Sequence, residues 1–169
     1  ITEEMLRFAH HEQIKNLPQQ LAKSQQERKE LDGANIFNNA FAGGTLWGDG
    51  VVLCSASHPN PTGGAVMSNL LTTPADFSVT SLKAALTQSR KMVDSAGLYL
   101  RPTPDLIVSA PDYEFEVDEI LHSEKIANSA NNNKNSLSRY GLTWYCLTRM
   151  TDLDAWFLVF KNRDEARLY

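Results

Sequence analysis

The feature that most constrains the fold is a long polar stretch near the start of the chain, PQQLAKSQQERKELDGANIFNNAF, at residues 18–41. Its composition is helical in tendency. Pro18 suits a first helical turn and Asn16 is a suitable N-cap, so we predict that the helix begins near Leu17. A helix from there to about Phe41 is roughly 35 Å long.

The apolar face of this predicted helix is thin. Gln, Lys and Glu crowd the other positions, and one stripe at helical spacing combines leucines with polar residues: Leu17, Leu21, Ser24, Arg28 and Leu31. These are too few large apolar side chains for a core helix of a small enzyme. The pattern is typical of a helix that crosses a surface or lies under another subunit.

The clearest helical pattern in the chain is SVTSLKAALTQSRKMVDSAG at residues 78–97. Its apolar residues fall on one face, Ser78 or Thr80 can cap its start, and Gly97 can end it. A short buried strand bounded by prolines follows at residues 104–111. The two elements predict an αβ unit.

Loops, a second helix and a hairpin account for the remaining segments. The Gly-rich residues 42–53 predict loop and hairpin with only short strands. Residues 112–123, DYEFEVDEILHS, have the apolar spacing of a second helix. The Asn-rich residues 128–135 predict an exposed polar loop. GLTWYCLTRM (141–150) and AWFLVF (155–160), joined by TDLD, predict a β-hairpin.

Composition and charge exclude several classes of protein. With 42% hydrophobic and 21% charged residues, the chain predicts one or two compact globular units. It has neither an apolar signal-peptide core nor a run of bilayer-spanning length. The net charge of -4 is spread along the chain, which disfavours a nucleic-acid-binding face. Cys54 and Cys146 stand among apolar neighbours, which predicts buried, reduced thiols.

One stretch, CSASHPNPTGG at residues 54–64, has the residue types of a catalytic loop. Cys54 or Ser57 could act with His58 only if nucleophile and base faced one another and a third group oriented the imidazole. The stretch lacks a protease signature and the Gly-x-Ser-x-Gly pattern of a nucleophile elbow. We therefore favour a buried thiol at a strand end and a turn histidine fixed by Pro59.

Metal-binding patterns also fail. Read as a calcium loop, the acidic run from Asp112 has Val117 where Gly is needed and Ser123 where Glu is needed. His10 and His11 are adjacent, so on a helix they point about 100° apart and could not share one ion. The sequence predicts no catalytic residue, no metal site and no cofactor.

The order of several motifs nevertheless resembles a known family. ITEEM, a helix ending in NIFNNAF, DGVVLCSASHP followed by TGGAVMSNLL, SLKAALTQSRKMVDSAGLYLRPTPDLIVSAP and MTDLDAWFLV occur in the order seen in the major capsid (head) proteins of Mu-like tailed bacteriophages and their prophages. The resemblance covers nearly the whole chain. The chain departs from it at Cys54, where relatives often have an apolar aromatic residue, and in the Asn-rich loop.

This resemblance implies an α+β fold of the Hong Kong 97 (HK-97) type, with a peripheral domain on a long spine helix and an axial domain whose central sheet is flanked by helices. Residues 1–75 would be part of the peripheral domain, comprising the spine helix (about 18–41) and a Gly/Pro-rich connection. Residues 76–169 would be part of the axial domain. The resemblance implies that the amino-terminal arm, extended loop and last peripheral strand of the family are absent from this sequence. Because the first residue is Ile1 rather than methionine, we expect the chain to be part of a longer protein.

The resemblance also changes the interpretation of the catalytic-looking stretch. In a shell subunit it would be a structural connection whose Ser, His and Asn side chains satisfy backbone groups. We expect structural or assembly roles for residues along the helix and this connection: Leu21, Lys29, Glu30, Asn38, Phe41, Ser57, His58, Pro59, Gly63, Gly64 and Asn69.

The function implied is that of a non-enzymatic virion subunit. It would assemble in the host cytoplasm into hexamers and pentamers of an icosahedral head, and enclose double-stranded DNA without reading its sequence. Its expected partners are other copies of itself and the scaffold, portal or decoration proteins of the same phage, with no membrane. A phage-encoded Cys/Ser-His hydrolase and a nucleic-acid-binding module are the alternatives.

Overall fold

The computed structural model describes residue 3, residues 11–126 and residues 133–161, with backbone only for 11–15. The described residues fall into two compact units, one ending at Phe37 and the other beginning at Asn38. Residues 38–75, which the sequence analysis groups with the spine helix, thus cluster with the remainder of the chain. The assignment of peripheral and axial domains stays a prediction.

The first unit contains all but the last residue of the long helix α1, His11–Asn38, of 28 residues. At about 1.5 Å per residue its length is about 42 Å. Pro18 lies inside the helix, so the prediction of a start near Leu17 is wrong. An interior proline costs about 3 kcal/mol and removes one backbone hydrogen bond. The helix continues through it because good helix formers, Gln, Leu, Ala and Lys, surround it.

The leucine stripe of α1 is exposed in the single chain. Leu17, Leu21 and Leu31 expose 39%, 60% and 36% of their surface. From the leucine stripe the sequence predicts that Leu21→Asp lowers the stability of the isolated subunit by placing a charge on a buried face. With Leu21 exposed, that prediction is wrong. Among the polar contacts of the helix is a 3.0 Å ion pair between Arg28 and Asp32, one turn apart. The stripe consequently remains available for contacts outside the described chain.

The second helix, α2, spans Val79–Ser89. Ser78 caps it as predicted, because the Ser78 hydroxyl accepts from Ser81 N at 3.1 Å and the Ser81 hydroxyl accepts from Ser78 N at 2.8 Å. The predicted end at Gly97 is wrong. The Asp94 carboxylate instead accepts from two backbone N–H groups of a turn, and such local bonds compete with helix.

The sheet has three strands: β1 (Thr103–Ser109), β2 (Thr143–Cys146) and β3 (Trp156–Lys161), in the order β2-β1-β3. Helix α3, Glu114–His122, lies in the crossover that parallel pairing of β1 with β2 requires.

The predicted hairpin between the last two strands is wrong. β3 pairs antiparallel with β1 on the side opposite to β2. A hairpin would leave the apolar residues of β1 at a sheet edge, whereas the observed order puts them in the middle. The loop at residues 147–155 therefore passes over the end of β1.

The core of the second unit lies where α2 and α3 meet the sheet. Its buried residues are Phe77, Leu82, Leu86, Ile107, Val117, Ile120, Leu121, Leu137 and Leu142. Helices packed on a mixed sheet agree with the predicted α+β class. No helix among the described residues has the length and apolar character needed to cross a membrane.

The Asn-rich loop is only partly described. Asn128 to Asn132 lie outside the described residues, whereas Asn135 is described and only 3% exposed. The expectation of exposure is thus wrong for Asn135. Its amide group hydrogen-bonds inside the fold to backbone groups on both sides of the loop.

Candidate functional site

The Gly/Pro-rich connection, defined here as residues 42–75, is held by turns and bridges rather than by strands. Trp47 N donates to Val51 O at 2.9 Å, closing a turn in which Gly50 has a φ of 78°. His58 and Met67 exchange two backbone hydrogen bonds of 2.8 and 2.9 Å. The prediction of irregular structure is confirmed, but the short strands expected at residues 42–53 do not form.

Asn69 holds the middle of the connection. Its Oδ1 accepts from Ser55 N at 2.8 Å, its Nδ2 donates to Leu53 O at 2.6 Å, and its own N–H donates to Ser55 O at 3.1 Å. An amide side chain carries both a donor and an acceptor, so one residue satisfies neighbouring backbone groups of both kinds. This is the role expected for Asn in this stretch.

Other amide side chains fasten the connection at its borders. Asn38 donates to Arg149 O at 3.0 Å and accepts from Thr151 N at 3.0 Å. Gln88 of α2 donates to Leu70 O and accepts from Thr72 N at 3.1 Å. The Asn38 contacts hold the chain just before the connection against the loop at residues 147–155, and the Gln88 contacts tie the end of the connection to α2.

Phe41 and the turn at residues 60–64 add packing and geometric restraints. The Phe41 ring stacks on Phe157 of β3, with centroids 5.6 Å apart. Gly63 has a φ of 77°, a region that favours glycine. A Cβ on Gly64 would lie 2.6 Å from Asn60 Nδ2, so a larger residue at this position would displace the Asn60 side-chain amide. Pro59, exposed, precedes the turn.

Serine side chains of the connection satisfy backbone groups as expected, since the Ser55 hydroxyl accepts from Ser57 N at 3.1 Å and the Ser68 hydroxyl accepts from Leu70 N at 3.3 Å. The side chains of Ser57 and His58 instead contact other side chains. The Ser57 hydroxyl contacts the Ser55 hydroxyl at 3.3 Å, and His58 Nδ1 contacts Asp49 Oδ2 at 2.6 Å. The pKa of Asp49 is lowered, first by the hydrogen bond from His58 and then by the one from Val51 N. The His58 side chain is 18% exposed. The imidazole therefore orders residues 49–58 by binding a carboxylate.

This carboxylate gives the connection a testable dependence on pH. A folded-state pKa below the ordinary value of 3.8 means that Asp49 contributes stability above that pH. The contribution is lost as the pH falls through the lowered folded pKa. We expect the melting temperature of Asp49→Asn to be lower than that of the parent at about pH 6, and the difference to shrink towards about pH 2. Thermal melting across this range measures it.

Asp112→Asn is the matched control for this prediction, since it removes an exposed carboxylate at the start of the turn before α3. We expect the control to follow the parent throughout. If the melting temperatures of Asp49→Asn and the parent differed by the same amount at every pH, that result would contradict a role for the Asp49–His58 pair.

The same contacts bear on the alternative function, a hydrolase that uses Cys54 or Ser57 with His58. Asp49 is the third group that a catalytic histidine would need. However, His58 Nε2 is buried and has no hydrogen-bond partner among the described residues, so no nucleophile contacts it. Burial raises the pKa of Cys54, which favours the thiol over the thiolate. In the described part of the chain, no group of three or more His, Cys, Asp or Glu residues could hold a metal ion.

The cysteines are less buried than predicted. Cys54 and Cys146 are both free thiols and both half-buried. Burial is also the first cause of the raised pKa of Cys146, ahead of the nearby Glu114 carboxylate. The prediction of full burial is therefore wrong for both cysteines, and their reduced state stays a prediction.

The remaining sequence-predicted residues lie on α1, in the other unit. Leu21, Lys29 and Glu30 are all exposed, and Glu30 lies 3.4 Å from Gln26 one turn away. Sequence reasoning missed Asp49 and Gln88. The pattern Asp-Gly before Val-Val indicates a turn to which Asp49 contributes its carboxylate. No pattern in the sequence near Gln88 indicates that its side chain binds the connection.

Comparison with known proteins gives a family. A family model described as "Phage capsid protein" matches residues 1–168. The chain belongs to this phage capsid protein family. Searches of curated proteins and of solved structures gave no match. As a member of a capsid family, the chain has a structural role in the virion, and the family is not one of enzymes. The connection is then a structural element of a capsid protein.

Proposed function

We propose that this capsid protein is the major head subunit of a Mu-like phage or prophage, with an HK-97 type fold, and that copies of it assemble into hexamers and pentamers of an icosahedral shell around double-stranded DNA. The family match over residues 1–168 is the observation that carries the proposal. In this scheme α1 is the spine helix, residues 76–169 belong to the axial domain, and assembly takes place in the host cytoplasm.

The exposed apolar side chains of α1 support a role in assembly. Leu17, Leu21 and Ile36 expose 39%, 60% and 44% of their surface on a helix otherwise rich in polar residues. A neighbouring subunit that covered them would remove apolar area from water in every copy of the contact. Many such contacts, each modest, stabilise a shell through multivalency.

The polar side of α1 is expected to contribute as well. Exchanging the charges of Lys29 and Glu30, as Lys29→Glu with Glu30→Lys, should leave the subunit folded because both side chains are exposed. It should lower particle yield severalfold at low salt if these charges meet charges of a neighbour. Light scattering of assembly reactions and thermal melting of the isolated subunit measure the two effects. Assembly equal to that of the parent at both low and high salt would show that this side makes no contact.

The proposal is tested directly on the full-length product. Size-exclusion chromatography and negative-stain microscopy should detect capsomers or shells. A monomer with hydrolase activity sensitive to thiol reagents would instead favour the Cys54 or Ser57 hydrolase. A monomer that binds DNA with steep salt dependence would favour a nucleic-acid-binding module.

A further inference from the structure

Helix α3 presents an exposed aromatic ring within an acidic surface. Its buried face consists of Val117, Ile120 and Leu121, and Phe115 lies about 200° around the helix from Val117. Phe115 is accordingly 80% exposed. The exposed carboxylates around it are Asp112, Glu114, Glu116, Asp118 and Glu119. A large ring held in water by a rigid helix is the form that an interface anchor takes.

A groove elsewhere in the same unit has complementary properties. It has a volume of about 460 Å³ and lies between the connection and the residues that follow α2. Its apolar lining includes Val66, Met67, Met92 and Val93, and its charged lining residues are Lys91 and Asp94. We call it the Met67/Met92 groove. Val66 is 63% exposed, so a binding partner would bury apolar surface here.

Local hydrogen bonds preform this groove. The Thr62 hydroxyl lies 2.8 Å from Ser95 O and links its two sides. The Asp94 carboxylate accepts from Ala96 N and Leu98 N, both at 2.8 Å, and fixes the turn beside Val93. These bonds also engage the Asp94 carboxylate with local donors. A groove held in place before binding loses little entropy when it is filled.

Basic and apolar residues continue beyond the groove. Arg90 precedes Lys91, and Arg101 ends the exposed segment that carries Leu98 and Tyr99, which expose 65% and 64% of their surface. The segment from Arg90 to Arg101 therefore combines positive charge with exposed apolar surface. Its charge is opposite to that around Phe115.

We propose that Phe115 of one copy of this chain inserts into the Met67/Met92 groove of the next copy, a contact that rests on the proposed shell function. The occupant is argued from charge, because the acidic surface meets Lys91 and the neighbouring arginines. Methionine side chains adapt to an aromatic ring and make favourable sulfur–aromatic contacts with it. Since the two surfaces differ, the contact is head-to-tail, and repeated head-to-tail contacts close rings such as pentamers and hexamers.

The first test measures assembly of the full-length product. Phe115→Ala should raise the protein concentration needed for half-assembly by about 30-fold, as expected for loss of an aromatic anchor. Val93→Asp, on the groove side, should act in the same direction. Tyr145→Ala removes an aromatic side chain that is 55% exposed on β2 and serves as control. Circular dichroism and thermal melting should show all three variants folded, because the replaced side chains are exposed.

The second test identifies which surfaces meet. In a background with Cys54 and Cys146 replaced by Ser, Glu116→Cys and Ala96→Cys proteins are prepared separately, mixed, assembled and treated with a short bismaleimide. Both positions are exposed, the first beside Phe115 and the second beside the groove, so the anchor and the groove lining stay intact. Cross-linked dimers are expected in the mixture and not in either protein alone, because only a head-to-tail contact brings the two different positions together. Cross-linking of either protein alone at the yield of the mixture would overturn the proposal.

The outcomes separate this contact from the function on which it rests. If the parent protein forms particles but Phe115→Ala assembles like Tyr145→Ala, the contact is refuted and the shell function stands. Particles without cross-links in the mixture refute the contact in the same way. If the parent forms no capsomers or shells at any concentration, the proposed function fails, and the contact fails with it.

Discussion

Replacing Asn135 by Ala is expected to lower the free energy of unfolding of the second unit by about 2–4 kcal/mol. Asn135 Nδ2 donates to Ile120 O at 2.6 Å and to Ser123 O at 3.0 Å, and its Oδ1 accepts from Leu137 N at 3.0 Å. With 3% of its surface exposed, the site gives water little access to these groups. The variant would leave buried polar groups unsatisfied, which costs more than the bonds themselves contribute.

The effect should reach beyond the loop. Ile120 and Ser123 belong to the end of α3, and Leu137 begins the return of the chain towards β2. Asn135 therefore fastens the crossover that allows β1 and β2 to pair in parallel. Because parallel strands rely on such a crossover, we expect Asn135→Ala to lower particle yield together with stability.

Urea or thermal unfolding measures this prediction, with Asn133→Ala as the matched control. Asn133 is the same residue type two positions earlier and is exposed. The control should change the free energy of unfolding by less than about 0.5 kcal/mol. Equal stability of Asn135→Ala and Asn133→Ala would mean that the amide contacts do not hold the crossover.

Elements of the fold whose signals are local were predictable from the sequence. Ser78 was recognised as a cap because a serine before an apolar repeat is a local pattern. The strand β1 and the helix α3 likewise follow from apolar runs and spacing within a few residues. The structure confirms these elements, with shifts of a few residues at their ends.

Features that depend on distant partners were not predictable in the same way. Two apolar strands joined by a short polar loop favour a hairpin, but the choice of β1 as common partner depends on residues far away in sequence. The composition around Asn135 indicated a loop and could not show that one of its amides is buried. Asn69 was named from its loop context, whereas Gln88 carries no local signal for its contact with residues 70–72.

The leucine stripe of α1 shows a further limit of periodicity. A repeat of leucines indicates which face of a helix seeks apolar contacts but not whether its own chain supplies them. The sequence alone suggested burial within the subunit, and Leu21 is 60% exposed. For a capsid protein, the same stripe is a candidate for contact with a second copy. We therefore expect a charge at Leu21 to impair assembly of the subunits rather than folding of the single chain.

Leu21→Asp is accordingly expected to abolish or strongly reduce particle formation while the isolated subunit remains folded. An exposed leucine contributes little to the stability of its own chain, so the melting temperature should change little. Burying the introduced carboxylate under a neighbour would desolvate a charge without a partner, which costs several kcal/mol at each contact. Repeated in every subunit, this cost opposes a shell far more strongly than a single complex.

Gln20→Asp is the matched control, because it adds the same charge at the adjacent, exposed polar position of α1 and changes helix propensity in a similar way. Light scattering and particle counts should show near-parental assembly for Gln20→Asp and little or none for Leu21→Asp. A lowered melting temperature of the isolated Leu21→Asp subunit, with Gln20→Asp unchanged, would show that Leu21 is covered within its own chain. Normal assembly of Leu21→Asp would instead show that the leucine stripe of α1 makes no contact between subunits.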